Sequence, residues 1–173
     1  MSDSLFSVKD RVTLVSGGSR GIGKALAAAF AQRGAKVIVT GREQETLEQA
    51  AAEISPDGNP VVALVCDVST VETLPDLTQT IVDRFGKIDI LLNVAGVNKR
   101  KRVETFTAEE YDFILDINLR GAFFLAQAVG KQMLAQGSGA QVHIDSLNTY
   151  APLKGVLPYA MSKAGLSMMT RGM

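Results

Sequence analysis

The chain has 173 residues, of which 46% are apolar and 21% are charged, a composition typical of a globular domain and unlike that of a disordered or fibrous chain. Lys plus Arg and Asp plus Glu each number 18, and the resulting net charge of zero gives no general attraction to nucleic acid or to an anionic membrane. The single cysteine, Cys66, excludes an internal disulfide and fits a reducing compartment. The chain begins with charges where a signal peptide has an apolar run, and no apolar run approaches the roughly 20 residues needed to cross a bilayer. We therefore expect one cytoplasmic domain over residues 1–173.

Five short apolar runs alternate along the chain with longer amphipathic stretches. The apolar runs predict β-strands at 11–17, 35–41, 60–69, 87–96 and 140–147. The stretches between them predict helices at 21–34, closed by Gly34, at 43–55, ended before Pro56, and at 70–86. Residues 107–137 are long enough for two successive helices, and residues 158–173 predict a last one. Strands that are apolar throughout and separated by helices are typical of a parallel sheet covered on both faces. The predicted fold is therefore a doubly wound, Rossmann-type α/β domain.

A glycine-rich turn, SGGSRGIG at 16–23, lies between the first predicted strand and the first predicted helix. Gly17, Gly21 and Gly23 form a G-x-x-x-G-x-G pattern, which on its own also suits an ordinary turn. At a strand-to-helix turn, however, glycines let backbone N–H groups approach a pyrophosphate, and the helix N-terminus adds the positive end of its dipole. The context favours a dinucleotide-binding loop, of which Ser19, Arg20 and Ile22 are also part.

The end of the second predicted strand bears on which dinucleotide binds. An acidic residue there would accept a hydrogen bond from the ribose 2′-hydroxyl of NAD, whereas this sequence has Gly41 and Arg42. The guanidinium groups of Arg20 and Arg42 suit the 2′-phosphate of NADP. Glu43 is the alternative, because it lies 20 residues after Gly23, near the spacing expected for an NAD-binding acid. We place Glu43 in the first turn of the next helix, where an acid is expected for its interaction with the helix dipole. The sequence thus favours NADP over NAD.

Further motifs follow the glycine loop in the order CDV at 66–68, NVAG at 93–96, INLRG at 117–121, Ser146, and YAMSK at 159–163. Together, in this order and over nearly the whole chain, they resemble the classical short-chain dehydrogenase/reductases. Each motif alone is common, but the joint match is specific. The loop at 97–112 and the segments around Ser146 and Tyr159 are most similar to the branch of gluconate 5-dehydrogenases and related sugar-acid or polyol reductases.

This resemblance implies an oxidoreductase that transfers a hydride between a nicotinamide cofactor and a carbonyl group or secondary alcohol. The catalytic residues it implies are Asn118, Ser146, Tyr159 and Lys163. Tyr159 would be the general acid/base, and Ser146 would hold the substrate oxygen by a hydrogen bond. Lys163 lies one helical turn beyond Tyr159, so its ammonium group can lie on the same face and favour the phenolate. Asn118 would keep its helix locally open around a water molecule that relays protons to Lys163.

The resemblance also implies cofactor contacts beyond the glycine loop. Asp67, with Val68, would meet the adenine end of the cofactor. Asn93 would steady the sheet, while Ala95 and Gly96 would leave room for the ribose. The remaining expected cofactor contacts are Tyr159 and Lys163. No metal site is expected, His143 is interpreted as structural, and Cys66 as a small buried apolar residue.

The substrate is less well defined than the reaction. The basic run at 99–102 follows the fourth strand, at the sheet edge where ligands bind, and is either a solvated loop or a positive rim that attracts an anionic substrate or NADPH. A sugar acid or polyol is the first hypothesis. The alternative is a 3-oxoacyl-[acyl-carrier-protein] reductase, in which the basic loop would meet the acidic carrier protein.

The length of the chain raises a further alternative. The family continues beyond this point with two more strands and a segment that covers the substrate, so we expect these parts to be missing from residues 1–173. The chain would then be part of a longer enzyme, or a truncated, non-catalytic nucleotide-binding or interaction fragment. In the family, the helices that bear Asn118 and Tyr159 pair with those of a second subunit, so a homodimer or homotetramer is expected.

Overall fold

A five-stranded parallel sheet forms the centre of the structure, a computed structural model that describes residues 6–55 and 59–173. Its strands are β1 (Val12–Ser16), β2 (Lys36–Gly41), β3 (Val62–Val65), β4 (Ile90–Asn93) and β5 (Ala140–His143). They lie in the order β3-β2-β1-β4-β5, and every neighbouring pair is parallel. The predicted fold class is confirmed. The residues at 1–5, where the absence of a signal peptide was inferred, and the predicted helix stop at Pro56 lie outside the described residues.

Helices connect the strands and cover both faces of the sheet. They are α1 (Gly21–Gln32), α2 (Gln44–Ile54), α3 (Leu74–Phe85), α4 (Ala108–Leu115), α5 (Ala122–Gln136) and α6 (Leu157–Gly172). Gly34, just after α1, has a φ of +80°, the left-handed conformation that closes a helix most readily at glycine. The strands are shorter than predicted. Residues 66–69, 94–96 and 144–147 were predicted as strand but lie beyond the strand ends, in the segments that follow at the carboxyl edge of the sheet.

The core consists of two apolar clusters, one on each side of the sheet. Successive strand residues point to opposite faces, so Leu14 belongs to one cluster and Val15 to the other. On the first side Leu14 packs with side chains of α3 and α5, including Ile81 and Leu125. On the second side Val15 packs with side chains of α1 and α2, including Leu47. Burying each large aliphatic side chain stabilises the fold by about 1.5–3 kcal/mol, so both helical layers hold the sheet in place.

Residues 107–137, expected to form two helices, form one continuous helix instead. A π-helical segment, Asp116–Gly121, joins α4 directly to α5, and the whole helix spans Ala108–Gln136, 29 residues. This corrects the expectation that no segment approaches the length of a bilayer span, because length and apolar composition alone would allow this helix to cross one. In the structure, however, Ile114, Asn118 and Leu125 on this helix are buried against the rest of the fold, as in a core helix of a globular domain.

The π-helical segment lies close to two other parts of the chain. A Cβ atom added at Gly121 would overlap the carbonyl of Val68, in the loop after β3. A Cβ added at Gly165 of α6 would lie 2.8 Å from Cδ2 of Leu119. These two glycines therefore allow the loop after β3 and helix α6 to approach the same point of the long helix.

A buried carboxylate links β1 and β4 at the opposite edge of the sheet. Asp89, 6% exposed, accepts a hydrogen bond from the Val12 amide at 2.8 Å and pairs with Arg11 at 3.2 Å and Lys87 at 3.0 Å. Burial disfavours the charged form, but the Val12 hydrogen bond and the two cations outweigh it, so the pKa of Asp89 lies below its usual range. The carboxyl edge, where β1 has β2 on one side and β4 on the other, is left open.

Candidate active site

A cleft of about 550 Å³ opens at the carboxyl edge of the sheet, where the connections after β1 and after β4 run to opposite faces. The predicted site residues that line it are Gly17, Ser19, Arg20, Ile22, Gly23, Arg42, Asp67, Val68, Ala95, Gly96, Tyr159 and Lys163. Four other predicted residues are not part of its lining, namely Gly21, Asn93, Asn118 and Ser146. The structure also places residues there that the sequence analysis did not single out for the site, including Thr40, Asn98, Asp145 and Asn148.

The glycine loop leaves space that side chains would fill. Gly17 has a φ of +76°, and a Cβ atom there would lie 2.8 Å from the backbone N and Cα of Ala95. A Cβ at Gly23 would overlap the Gly17 carbonyl, and one at Gly18 would lie 2.6 Å from Cγ1 of Val39. Gly18 was missed by the glycine pattern, although its pairing with Gly17 in the sequence was a signal. The amides of Gly17 and Gly18 both donate to the Thr40 carbonyl at 3.0 Å, which fixes the loop against β2.

Helix α1 begins directly at this loop with no side-chain cap. Arg20 is the N-cap residue and makes no capping hydrogen bond, and no acidic side chain lies in the first turn. The first N–H groups of a helix have no partner within it, so this end of α1 suits an anion. The hydroxyl of Thr40, which lines the cleft, also has no hydrogen-bond partner among residues 6–55 and 59–173.

Two guanidinium groups line the cleft near β2. Neither Arg20 nor Arg42 takes part in an ion pair within the part of the chain that the structure describes. Glu43, the rival for the ribose contact, is the exposed N-cap residue of α2 and does not line the cleft. It therefore lies one position before the first helical turn in which it was expected.

Asp67 and Cys66 line the cleft at the end of β3. The carboxylate of Asp67 accepts hydrogen bonds from the amide of Ser69 at 2.9 Å and from its hydroxyl at 2.7 Å, which fixes the orientation of Asp67. Cys66 is 8% exposed, as predicted for a buried residue. Burial, with a smaller contribution from Asp67, raises the pKa of the Cys66 thiol to about 11.

Asn93 and Asn118 support the cleft from behind. Asn93, at the end of β4, donates to the Ala122 carbonyl at 2.9 Å and so ties the strand to the start of α5. Asn118 is 1% exposed and bonds Val97 twice, accepting from its amide at 2.7 Å and donating to its carbonyl at 2.8 Å. It also donates to the Ser162 hydroxyl at 3.1 Å. A π-helical segment lies where Asn118 was expected to open the helix, and the Asn118 side chain joins the loop after β4 to α6.

Tyr159 and Lys163 stand one turn apart on α6. Tyr159 is half-buried, whereas Lys163 is 5% exposed. The ammonium of Lys163 donates to the Ile144 carbonyl at 2.6 Å and lies 5.7 Å from the centroid of the Tyr159 ring. Burial lowers the pKa of Lys163, and the nearby Asp145 carboxylate opposes this shift. The structure thus places a buried cation beside the tyrosine ring at one end of the cleft.

Ser146 lies between two residues of the cleft lining but is not itself part of it. Its hydroxyl oxygen accepts hydrogen bonds from the amide N and from Nδ2 of Asn148, each at 3.2 Å. Asp145 and Asn148, on either side, face the cleft. Their polar character in the segment DSLN was the only sequence signal for them.

The basic run at 99–102 is largely paired with acids of the same region. Lys99 and Lys101 contact Glu110 at 3.5 and 2.6 Å, and Arg102 contacts Glu104 at 2.5 Å. The hydrogen bond from Lys101 is the main cause that lowers the pKa of Glu110 to about 2. These ion pairs reduce the positive field at the rim and favour the interpretation of this run as a solvated loop.

The cleft residues fit a dinucleotide. The glycine loop and the uncapped α1 suit a pyrophosphate, and the guanidinium groups of Arg20 and Arg42 suit a further phosphate. No group of three or more His, Cys, Asp or Glu side chains in the described ranges is arranged to hold a metal ion. His143 lies half-buried in β5, and burial lowers its pKa.

Comparison with known proteins identifies the family of the chain. The family model for the short chain dehydrogenases matches residues 11–173. The chain belongs to this family. Within it, the chain is 35% identical over 169 residues to a gluconate 5-dehydrogenase of Gluconobacter oxydans (strain 621H), and the match covers 98% of this chain and 66% of that protein.

Solved structures of the family share the fold. A structure described as a short-chain alcohol dehydrogenase from Sinorhizobium meliloti 1021 matches with a TM-score of 0.92 and 40% identity, covering 96% of this chain and 66% of that one. A structure described as an NAD(P)-dependent gluconate 5-dehydrogenase from Beutenbergia cavernae, with NADP bound at low occupancy, matches with a TM-score of 0.90 and 32% identity over the same shares. This chain therefore spans about two thirds of the length of these relatives.

Proposed function

We propose that the protein is an NADP-dependent oxidoreductase that interconverts a ketone and a secondary alcohol, with a sugar acid or polyol as substrate. The observation that carries the proposal is the cleft itself. The glycine loop after β1 and the turn after β2 contribute Arg20 and Arg42 to its lining. Lys163 lies beside the Tyr159 ring and is bonded to Ile144 after β5, on the other side of β4 in the sheet order. The kinship with gluconate 5-dehydrogenases supports the choice of substrate class.

Bound NADPH would supply the hydride, and the residues of the chain would handle the proton. Tyr159 acts as the general acid that gives its proton to the carbonyl oxygen as the alcohol forms, and as the base in the reverse direction. The ammonium of Lys163, fixed by the Ile144 carbonyl, stabilises the phenolate that remains. Asn118 holds α6 against the loop after β4 through Ser162 and Val97, and so keeps the pair in place.

The preference for NADP rests on Arg20 and Arg42. Charge-assisted hydrogen bonds contribute about 1.5–3 kcal/mol, so Arg42→Gln should weaken NADPH binding about tenfold or more and leave NADH binding within about twofold. Titration of cofactor fluorescence measures both. Glu43→Gln is the matched control, because Glu43 is the neighbouring exposed residue outside the cleft, and it should change neither affinity. Tighter binding of NADH than of NADPH by the wild-type chain would contradict the preference.

The reaction is tested by following NADPH absorbance with a panel of ketones that includes 5-ketogluconate, neutral ketoses and acetoacetyl thioesters. We expect turnover of a polyhydroxy ketone that is lost in Tyr159→Phe, while NADPH still binds to that variant. Preferential turnover of the thioesters would point to a 3-oxoacyl reductase instead. Cofactor binding without turnover of any ketone would favour a non-catalytic nucleotide-binding chain.

We also propose that the protein forms a homodimer or homotetramer through α4, α5 and α6. The support is a set of exposed apolar side chains on these helices, Tyr111, Phe113, Phe123, Met161 and Met168. Exposed apolar surface of this kind is typical of an interface. Sedimentation velocity should show a species of at least twice 18.4 kDa, and Phe123→Glu should shift it towards the monomer.

A further inference from the structure

The turn after β5 gives the Ser146 hydroxyl an unusual set of partners. Its oxygen lies 3.2 Å from the backbone nitrogen of Asn148 and 3.2 Å from Nδ2 of the same residue. A single residue two positions along the chain thus contacts Ser146 with both its main chain and its side chain.

The orientation of the Asn148 amide follows from its second contact. The backbone nitrogen of Leu153 lies 3.0 Å from the other end of the amide. A backbone N–H can only donate, so the atom that faces Leu153 must be the oxygen, Oδ1. Nδ2 therefore faces Ser146 as a donor, and the alternative orientation would set two donors against each other.

The consequence for Ser146 is a fixed direction of hydrogen bonding. A serine hydroxyl has one proton to donate and two lone pairs that accept. Because Asn148 donates to the oxygen twice, both lone pairs are occupied, and the proton remains for another acceptor. A ketone oxygen, and the alkoxide-like oxygen of the transition state, can only accept.

We propose that Asn148 is a positioning residue that holds Ser146 as an acceptor towards the protein and therefore as a donor towards the substrate oxygen. The proposal rests on the proposed function for the identity of that oxygen. Asn148, which contacts Ser146, lines the same cleft as Tyr159 and Lys163. Asn148 acts through Ser146 and need not touch the reacting atoms.

Asn148→Asp tests this polarity with almost no change in shape. The introduced carboxylate still accepts from the Leu153 amide, but its second oxygen now faces Ser146 and accepts a hydrogen bond from the Ser146 hydroxyl, which then has no proton left for the substrate. Removal of one such donor lowers kcat by about 10²-fold, so we expect Ser146→Ala to lose about 100-fold and Asn148→Asp at least about tenfold. Ala151→Asp adds the same charge on an exposed residue three positions along and should keep kcat within about twofold.

The double variant separates positioning from a structural role. If Asn148 acts only through Ser146, then Ser146→Ala/Asn148→Asp has the kcat of Ser146→Ala within about twofold. The proposal would be overturned if the decrease in kcat of the double variant were the product of the decreases in the two single variants. An Asn148→Asp variant with wild-type kcat would also overturn it. The kcat of each variant is measured at saturating NADPH, so that a change in cofactor affinity, followed separately by fluorescence, does not enter the comparison.

A spectroscopic measurement tests the hydrogen bond without any turnover. In the ¹⁵N-labelled chain the side-chain amide signals of Asn148 are assigned by their loss in Asn148→Asp. Ser146→Ala removes the acceptor and should move one of the two amide proton signals upfield, whereas Ala151→Asp should leave both in place. An unmoved pair of signals in Ser146→Ala would overturn the proposal. If the wild-type chain reduces no ketone, the proposed function fails, and this measurement still decides the arrangement of Asn148.

Discussion

Gly17 and Gly21 offer a matched test of how the dinucleotide loop is built. Both glycines have a positive φ, +76° and +53°, but a Cβ atom at Gly17 would lie 2.8 Å from the Ala95 backbone, while one at Gly21 would meet nothing within 4 Å. Replacement by alanine therefore costs left-handed backbone strain at both positions, about 1 kcal/mol each. Only Gly17→Ala adds overlap with the facing loop, which costs about a further 1–3 kcal/mol.

The difference between the two variants is the quantity to measure. In a domain of this size 1 kcal/mol corresponds to about 2–4 °C in Tm, so Gly17→Ala should melt about 4–8 °C below Gly21→Ala for a difference of 2 kcal/mol. Thermal unfolding followed by circular dichroism measures this. Fluorescence titration should show weaker NADPH binding in Gly17→Ala than in Gly21→Ala, because the glycine loop must move away from Ala95 only in the former. Equal melting temperatures would refute the close approach of the two loops.

Three further predictions concern groups outside the reacting end. Asp89→Asn should lower the free energy of unfolding by about 1–3 kcal/mol at pH 7. Because the pKa of Asp89 is lowered in the fold, its contribution is present above the unfolded value of about 3.9 and is lost as the pH falls through the folded value. Urea unfolding between pH 3 and 7 should show this acid dependence in the wild type and less of it in Asp89→Asn. Cys66, with a pKa of about 11, should react with iodoacetamide at pH 8 about 100-fold more slowly than an ordinary thiol. Mass spectrometry measures the rate of labelling. Equal rates in the folded chain and in urea would contradict a buried thiol. Asn118→Ala leaves the Val97 amide and carbonyl without their partner and should cost at least about 2 kcal/mol in urea unfolding. A loss below 0.5 kcal/mol, roughly that of a surface substitution, would contradict the bracing role of this side chain.

The sequence predicted the sheet and most of the cleft because the signals there are local. Short apolar runs rich in β-branched residues, such as VTLVS and KVIVT, are typical of buried strands, and a glycine turn between a strand and a helix favours a dinucleotide loop. The parallel order brings the loops after β1 and β2 to one edge, so Gly17 and Arg42 could be assigned to a common site from the residues themselves. Ala95 was assigned to it through the resemblance to the short-chain dehydrogenases.

The parts that the sequence did not predict depend on contacts between distant segments. Helices α4 and α5 form one continuous helix because a π-helical segment that contains Asn118 joins them. The side chain of Asn118 is bonded to Val97 in the loop after β4, and the periodicity of apolar residues does not reveal this contact. The pairing of Lys99 and Lys101 with Glu110 depends on how the loop folds back over α4. The direction of the Ser146 hydroxyl depends on Leu153, five residues beyond Asn148, and only side-chain geometry shows it.

The central claim, hydride transfer between NADPH and a ketone at Tyr159, is tested most directly by isotopic labelling. The chain is incubated with 5-ketogluconate and NADPH in which both hydrogens at C4 of the nicotinamide are replaced by deuterium, and the product alcohol is analysed by mass spectrometry. We expect an alcohol one mass unit heavier than the unlabelled product, formed by the wild-type chain and not by Tyr159→Phe. A product without deuterium, or equal labelling by Tyr159→Phe, would contradict the account.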